Sequence, residues 1–182
     1  MKRASNYVLV LFMCVMLTGC NNGFAKKEYN AIDKIAETED RYSEESFIFN
    51  PIDGGYSLVV AKFDGRDTLW TKSLENNKEI EINIKLSLSE GTIKVVHIDE
   101  DGDVITLIED TGDNSTDGYV SKTVSLKKGL NRIKIVGYGC RNIDLELLSS
   151  AFVNNTSAKQ RTNFETKTAF HFGGLFLYLS RK

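Results

Sequence analysis

The sequence predicts an all-β protein, an antiparallel β-sandwich of jelly-roll type with about eight or nine strands. Three observations predict it. From Lys78 to Ser89 the chain alternates without a fault. Ile80, Ile82, Ile84, Leu86 and Leu88 share one face, while Glu79, Glu81, Asn83, Lys85 and Ser87 share the other. A period of two is the side-chain period of a strand, and a strand dry on one face and wet on the other belongs to an antiparallel sheet. Further short apolar runs fall at 56–63, 67–72, 92–98, 103–109, 119–126, 130–137 and 143–148, the spacing of a sandwich. Between runs, Asp64-Gly65, Asn76-Asn77, Glu90-Gly91, Asp101-Gly102 and Lys128-Gly129 supply residues that tolerate positive φ where a hairpin must close. The single proline, Pro51, stands near the start of this region and leaves every later ladder its N–H donors.

Ahead of the strands, residues 1–19 have the proportions of a secretory signal. Lys2 and Arg3 precede an uninterrupted apolar run from Tyr7 to Leu17, too short for the ~30 Å hydrocarbon core, which needs about 20 helical residues. The run ends in Leu17-Thr18-Gly19-Cys20, which resembles the lipobox of bacterial lipoproteins. The resemblance implies a diacylglyceryl group on the Cys20 thiol, cleavage just before it, and a mature chain held at the extracytoplasmic face of the cell membrane. Two acyl chains hold stably where one does not, since each buried methylene contributes ~0.8 kcal/mol.

Residues 20–46 read as a lipidated tether. Asn21-Asn22-Gly23 opens it, Tyr29, Ile32, Ile35 and Ala36 then fall at helical spacing, and Glu37 and Arg41 stand at i,i+4 in the favourable order. As coil, residues 21–46 would span roughly 28 Å, and as helix or coil they stand the domain off the bilayer. The domain is then 47–182, with 151–182 a C-terminal extension. Its stretch from Ala169 to Leu179 is strongly apolar around Gly173-Gly174 and reads as a final strand or hairpin that completes the core.

Charge and cysteine usage narrow the function. Without Lys2 and Arg3, the 23 Lys+Arg and 25 Asp+Glu of the whole chain become a net charge of −4. A mildly acidic chain lacks the basic footprint that nucleic acid requires. The extension is the exception, with five basic residues against one acidic, which fits a tail folded back on an acidic body or, as the alternative, one exposed to anionic lipid or wall polymer. With Cys14 in the leader and Cys20 lipidated, Cys140 has no intramolecular partner, so the domain stands without a disulfide and Cys140 reads as a small buried residue.

No catalytic signature emerges, and no cofactor is expected. His97 and His171 lack a second histidine or free cysteine at ligand spacing. Asp99, Asp101, Asp103, Asp113 and Asp117 are weak calcium candidates, since hard carboxylate oxygens on loops suit that ion. Asp113 to Gly118 matches half of a calcium loop, but Val124 stands where the bidentate glutamate belongs. These side chains read as solvated hairpin ends.

Val124 to Gly137 followed by Ile143 to Leu147 is similar to the late strands of galactose-binding-like and carbohydrate-binding-module sandwiches: strand, glycine turn, asparagine, alternating strand, final strand. The resemblance implies a sandwich that binds sugar. Stacking on a pyranose needs a flat ring, so Trp70, Tyr119 and Tyr138 are the candidates, Trp70 also being a natural core residue. The leading expectation is a non-catalytic, membrane-anchored lipoprotein that binds a glycan or cell-envelope component. A lipoprotein scaffolding another envelope protein is the alternative, and a carboxylate-based hydrolase a minor one.

Overall fold

The alternating run forms its strand as expected. The computed structural model describes residues 22–112, 118–152, 170–172 and 175–177, the last two stretches as backbone alone. The leader and Cys20, Asp113 and Asp117, and the side chains of the Ala169–Leu179 stretch lie outside the described residues. Two short helices, α1 (Asn22–Glu28) and α2 (Ile32–Ala36), precede the strands. These are β1 (Arg41–Ile52), β2 (Gly55–Leu74), β3 (Lys78–Ser87), β4 (Glu90–Ile98), β5 (Val104–Asp110), β6 (Val120–Leu126), β7 (Gly129–Leu148), β8 (Phe170–Phe172) and β9 (Leu175–Leu177). No described helix is long and apolar enough to cross a membrane.

β1 to β7 form an antiparallel sheet organised around two strands of 20 residues each. β2 and β7 pair from Gly55 opposite Leu148 to Leu74 opposite Gly129. The other edge of β7 is shared: β3 takes Asp144–Leu148, and β4 takes Arg132–Arg141. With β6 beyond β3 and β5 beyond β4, the long strands carry two half-sheets. β5 and β4 define the first layer, and β3 and β6 the second. β1 runs along the free edge of β2, where Pro51 costs no ladder bond to a further strand.

The layers separate where the ladder bends. The β2–β7 register shifts between Phe63 and Gly65, and Ser46, Gly65, Gly139 and Asn142 all adopt positive φ beside it. Gly65 is required there. Its φ is 117°, and a Cβ would lie 2.1 Å from the carbonyl oxygen of Arg41. Between the layers Leu58, Val60, Phe63, Ile82, Ile84, Leu86, Ile93, Val95, Ile133, Ile135, Ile143 and Leu145 bury together. Each large aliphatic contributes ~1.5–3 kcal/mol, and the core includes a free, buried Cys140.

Several sequence expectations meet corrections here. Asp64-Gly65 is a bend within β2, so the runs at 56–63 and 67–72 are one strand. The runs at 130–137 and 143–148 likewise merge in β7. Of the five expected hairpin closures, Asp101-Gly102 joins strands that pair, while Asn76-Asn77, Glu90-Gly91 and Lys128-Gly129 carry the chain from one layer to the other. A tolerated positive φ permits a sharp turn but does not choose the partner strand. The other hairpin is closed by Asp53-Gly54, with Gly54 at φ 77°. β1 starts at Arg41, six positions before the expected boundary, because Ser46 breaks its alternation. The segment expected as a tether that stands the domain off the bilayer is docked on the domain itself: Tyr29 and Ile35 bury against Val96, Ile98 and Val136 on the outer side of the first layer. β8 and β9 pair antiparallel in a two-stranded sheet of their own, and the expected completion of the core by this stretch rests on side chains outside the described residues.

Gly65→Ala is expected to cost more than ~3 kcal/mol, because the bend holds both layers. Gly54→Ala, with open space around its Cβ, should cost only the ~1–2 kcal/mol of its left-handed backbone. Urea unfolding midpoints of the two variants check the difference.

Candidate functional site

The two outer faces of the sandwich differ in what covers them. On the first layer, strand alternation turns Arg66 and Thr68 of β2, Arg132, Lys134 and Val136 of β7, and Lys94, Val96 and Ile98 of β4 outward. All four of these cations are buried: Arg66 is 4% exposed, Arg132 7%, Lys134 0% and Lys94 8%. Charge removed from water needs partners, and the segment from α1 to β1 supplies them. Arg66 is held between the carboxylates of Glu28 and Glu37. The Arg132 guanidinium donates to the carbonyl oxygens of Ala36 at 2.7 Å and Glu37 at 2.8 Å, where α2 ends. Lys134 donates to the Glu37 carbonyl at 2.6 Å and pairs with Asp40 at 3.1 Å. Burial pushes the Lys134 ammonium below its usual range, and Asp40 partly opposes that. The face is sealed by the chain's own N-terminal segment.

On the second layer most of the outward side chains are polar, and they are exposed or half-buried. Asn83 and Lys85 of β3, Ser121 of β6, Asp144 and Glu146 of β7 and Ser57 of β2 form cross-strand neighbours. Tyr119, 48% exposed, stands at the edge of this face, and its hydroxyl donates to Glu146 Oε2 at 2.5 Å. Lys85 Nζ reaches Glu146 Oε1 at 3.4 Å. The hydrogen bond from Tyr119, helped by Lys85, holds the Glu146 carboxyl below its usual range. Ile48 and Val59, each 43% exposed, are opposite one another on β1 and β2. Among the described residues the result is an open face with one flat ring, two apolar side chains and several hydrogen-bonding groups.

The remaining candidates are placed as follows. Trp70 is 1% exposed and meets Phe152 edge-on, with ring centroids 5.5 Å apart. The structure therefore corrects Trp70 as a sugar platform: its strand runs into the core rather than ending at the surface. Tyr138 is half-buried, with the Tyr29 ring edge-on at 5.1 Å and Lys26 Nζ 5.7 Å from its centroid. α1 thus covers its ring, which removes Tyr138 as an open platform too. Of the three aromatic candidates, Tyr119 alone is left on an open surface.

Asp99, Asp101 and Asp103 do converge at the β4–β5 hairpin. Lys127 Nζ sits among them at 2.7, 2.8 and 3.0 Å, so an ammonium stands where a metal ion would. Burial alone would raise the Asp99 carboxyl. Hydrogen bonds from Lys127 and from the backbone N–H groups of Asp103 and Asp101 outweigh it and hold Asp99 below its usual range. Cys140 is inert by its surroundings: burial, with Asp64 nearby, pushes its thiol up to about 12. His97 is buried against Asn131 at 3.0 Å, and burial draws its pKa down.

No protein-family model matches the chain, and no curated protein matches it. Among solved structures it is similar to a carbohydrate-binding module from Cellvibrio mixtus lichenase 5A, in complex with cellotriose. That likeness has 13% identity over 64% of this chain and 91% of the module, with a TM-score of 0.35. It is also similar to an Arthrobacter globiformis isomalto-dextranase complexed with panose, at 17% identity over 58% of this chain and a TM-score of 0.34. The match spans about a fifth of the isomalto-dextranase, 20% of its length. A family 4 carbohydrate-binding module matches at 13% identity over 58% of this chain and 73% of its own, with a TM-score of 0.33. Identities this low and overlaps this loose carry no ligand or activity across to this chain.

Replacing both Glu28 and Glu37 by Gln leaves the buried Arg66 guanidinium without a countercharge. The pair of changes should destabilise the protein by ~3–5 kcal/mol, read from the shift of the urea midpoint. A loss under ~1 kcal/mol would mean that the seat of the N-terminal segment is a surface ion pair of ordinary strength.

Proposed function

We propose that the chain is a lipid-anchored, extracytoplasmic lipoprotein whose sandwich is a non-catalytic binding module for a glycan or cell-envelope component. The lipobox-like Leu17-Thr18-Gly19-Cys20 supports the anchor. The open outer face of the second layer supports the binding role, and Tyr119 carries the reading. A sugar offers apolar C–H faces and a rim of hydroxyls. Tyr119 presents a flat ring at the surface, and Glu146, Lys85, Asn83, Ser121 and Asp144 offer donors and acceptors beside it. Among the described residues, the first layer is sealed and this face is left accessible.

The test is retention of the full lipidated chain, in detergent, on glycan arrays and on isolated cell-wall polymers. Tyr119→Ala should weaken retention about tenfold, equivalent to ~1.4 kcal/mol, while Trp70→Phe should leave it unchanged because Trp70 is interior. Retention that is indifferent to Tyr119, or absent from every polymer tried, would reject the reading. Incorporation of labelled fatty acid into a Cys20→Ser chain would separately reject the anchor.

A further inference from the structure

The docked N-terminal segment constrains where the bilayer lies. Cys20 precedes Asn22, the first residue of α1, by two positions. Covalent geometry then holds its Cα within ~7 Å of the helix start, whatever path the chain takes. α1 itself adds only ~10 Å, at about 1.5 Å per residue. Nor is it free to swing. Ala25 and Tyr29 are buried on the sheet, and Glu28 is turned inward to Arg66 and Arg41.

What α1 leaves outside is basic and apolar. Lys26 and Lys27, in its last turn, are exposed, Lys26 with its ammonium 5.7 Å from the Tyr138 centroid and Lys27 over no ring among the described residues, and Ile32 at the head of α2 is 63% exposed. Asp33 is the exposed countercharge, while Lys34 is tied to Glu37 at 2.8 Å.

Resting on the proposed lipidation of Cys20, we infer that the outer side of α1 and the start of α2 form a membrane-contact surface. Lys26 and Lys27 meet anionic lipid headgroups, and Ile32 meets the interface beside them. The sandwich sits directly on the bilayer instead of at the end of a tether. The acyl chains make this contact intramolecular, so two lysines suffice where a free protein would need many more. The orientation has a consequence for binding. α1 covers the first layer, so the open face around Tyr119 is on the opposite side and points away from the membrane.

Fluorophores on cysteines introduced by Asn30→Cys, next to α1, and by Thr123→Cys, on the outer face of β6, test this. Each variant is made as the full lipidated chain and reconstituted in vesicles. One set is phosphatidylcholine alone, the other equal parts phosphatidylcholine and phosphatidylglycerol, both doped with a headgroup quencher. Buried Cys140 and acylated Cys20 do not compete for label. Flotation reports the anchor independently of quenching.

The expected result is strong quenching at position 30 and little at 123 in the anionic vesicles. Changing Lys26 and Lys27 together to Glu should drop quenching at 30 to the level at 123 while the protein still floats. Equal quenching at both positions, or no effect of the lysine changes, in protein that floats overturns the contact surface and leaves the anchor standing. Protein that fails to float overturns both.

Discussion

Arg66, Arg132 and Lys134 lie side by side on the outer face of the first layer, and the cost of burying them dictates much of what surrounds them. Water would solvate all three far better than any apolar cover. They are tolerable under the N-terminal segment because it presents two carboxylates to Arg66, two carbonyl oxygens to Arg132, and a carbonyl oxygen with a carboxylate to Lys134. The match is strongly directional, since guanidinium groups donate in a fixed plane. It sets where α2 ends, where the chain turns into β1, and which face of the sandwich is closed to solvent. Tyr29 and Ile35 add apolar cover on either side of this polar seat.

The seat depends in turn on the bend of β2 and β7. Each strand serves both layers, so its outward side chains change surroundings partway along. In β7, Arg132 and Lys134 belong to the sealed face and Asp144 and Glu146 to the open one. The residues that make the bend, Gly65, Gly139 and Asn142, therefore separate a cationic interior surface from an acidic exterior one. Lys127 plays a smaller part of the same kind at the β4–β5 hairpin, where its ammonium pairs with three aspartates.

The fold class was legible because β3 keeps a clean period of two with one buried face, in the run from Ile80 to Leu88, and the end of β6 follows it at Val124 and Leu126. The long strands were not legible as single elements. Glycine-bearing turns and in-strand bends use the same residues, and which of the two forms depends on pairing partners far away in sequence. β1 was obscured by Ser46, whose positive φ shifts the alternation. The sealed face was invisible for a different reason. Arg132 and Lys134 alternate with Ile133 and Ile135, the pattern of an ordinary wet strand face, and nothing local reveals that Glu28, Glu37 and Asp40 will cover them. Among the aromatic candidates, sequence offered three rings, and burial of Trp70 and Tyr138 left Tyr119.

Amide hydrogen exchange on the full chain tests most directly the claim that residues 22–40 are an integral cover and not a tether. The amide of Ile35, bonded to the Ala31 carbonyl at 3.0 Å, and its neighbours through Glu37 should exchange slowly, approaching the protection of β2 and β7. Exchange at coil rates across 22–40, with β2 and β7 still protected, would contradict the account: the first layer would then be an open cationic face.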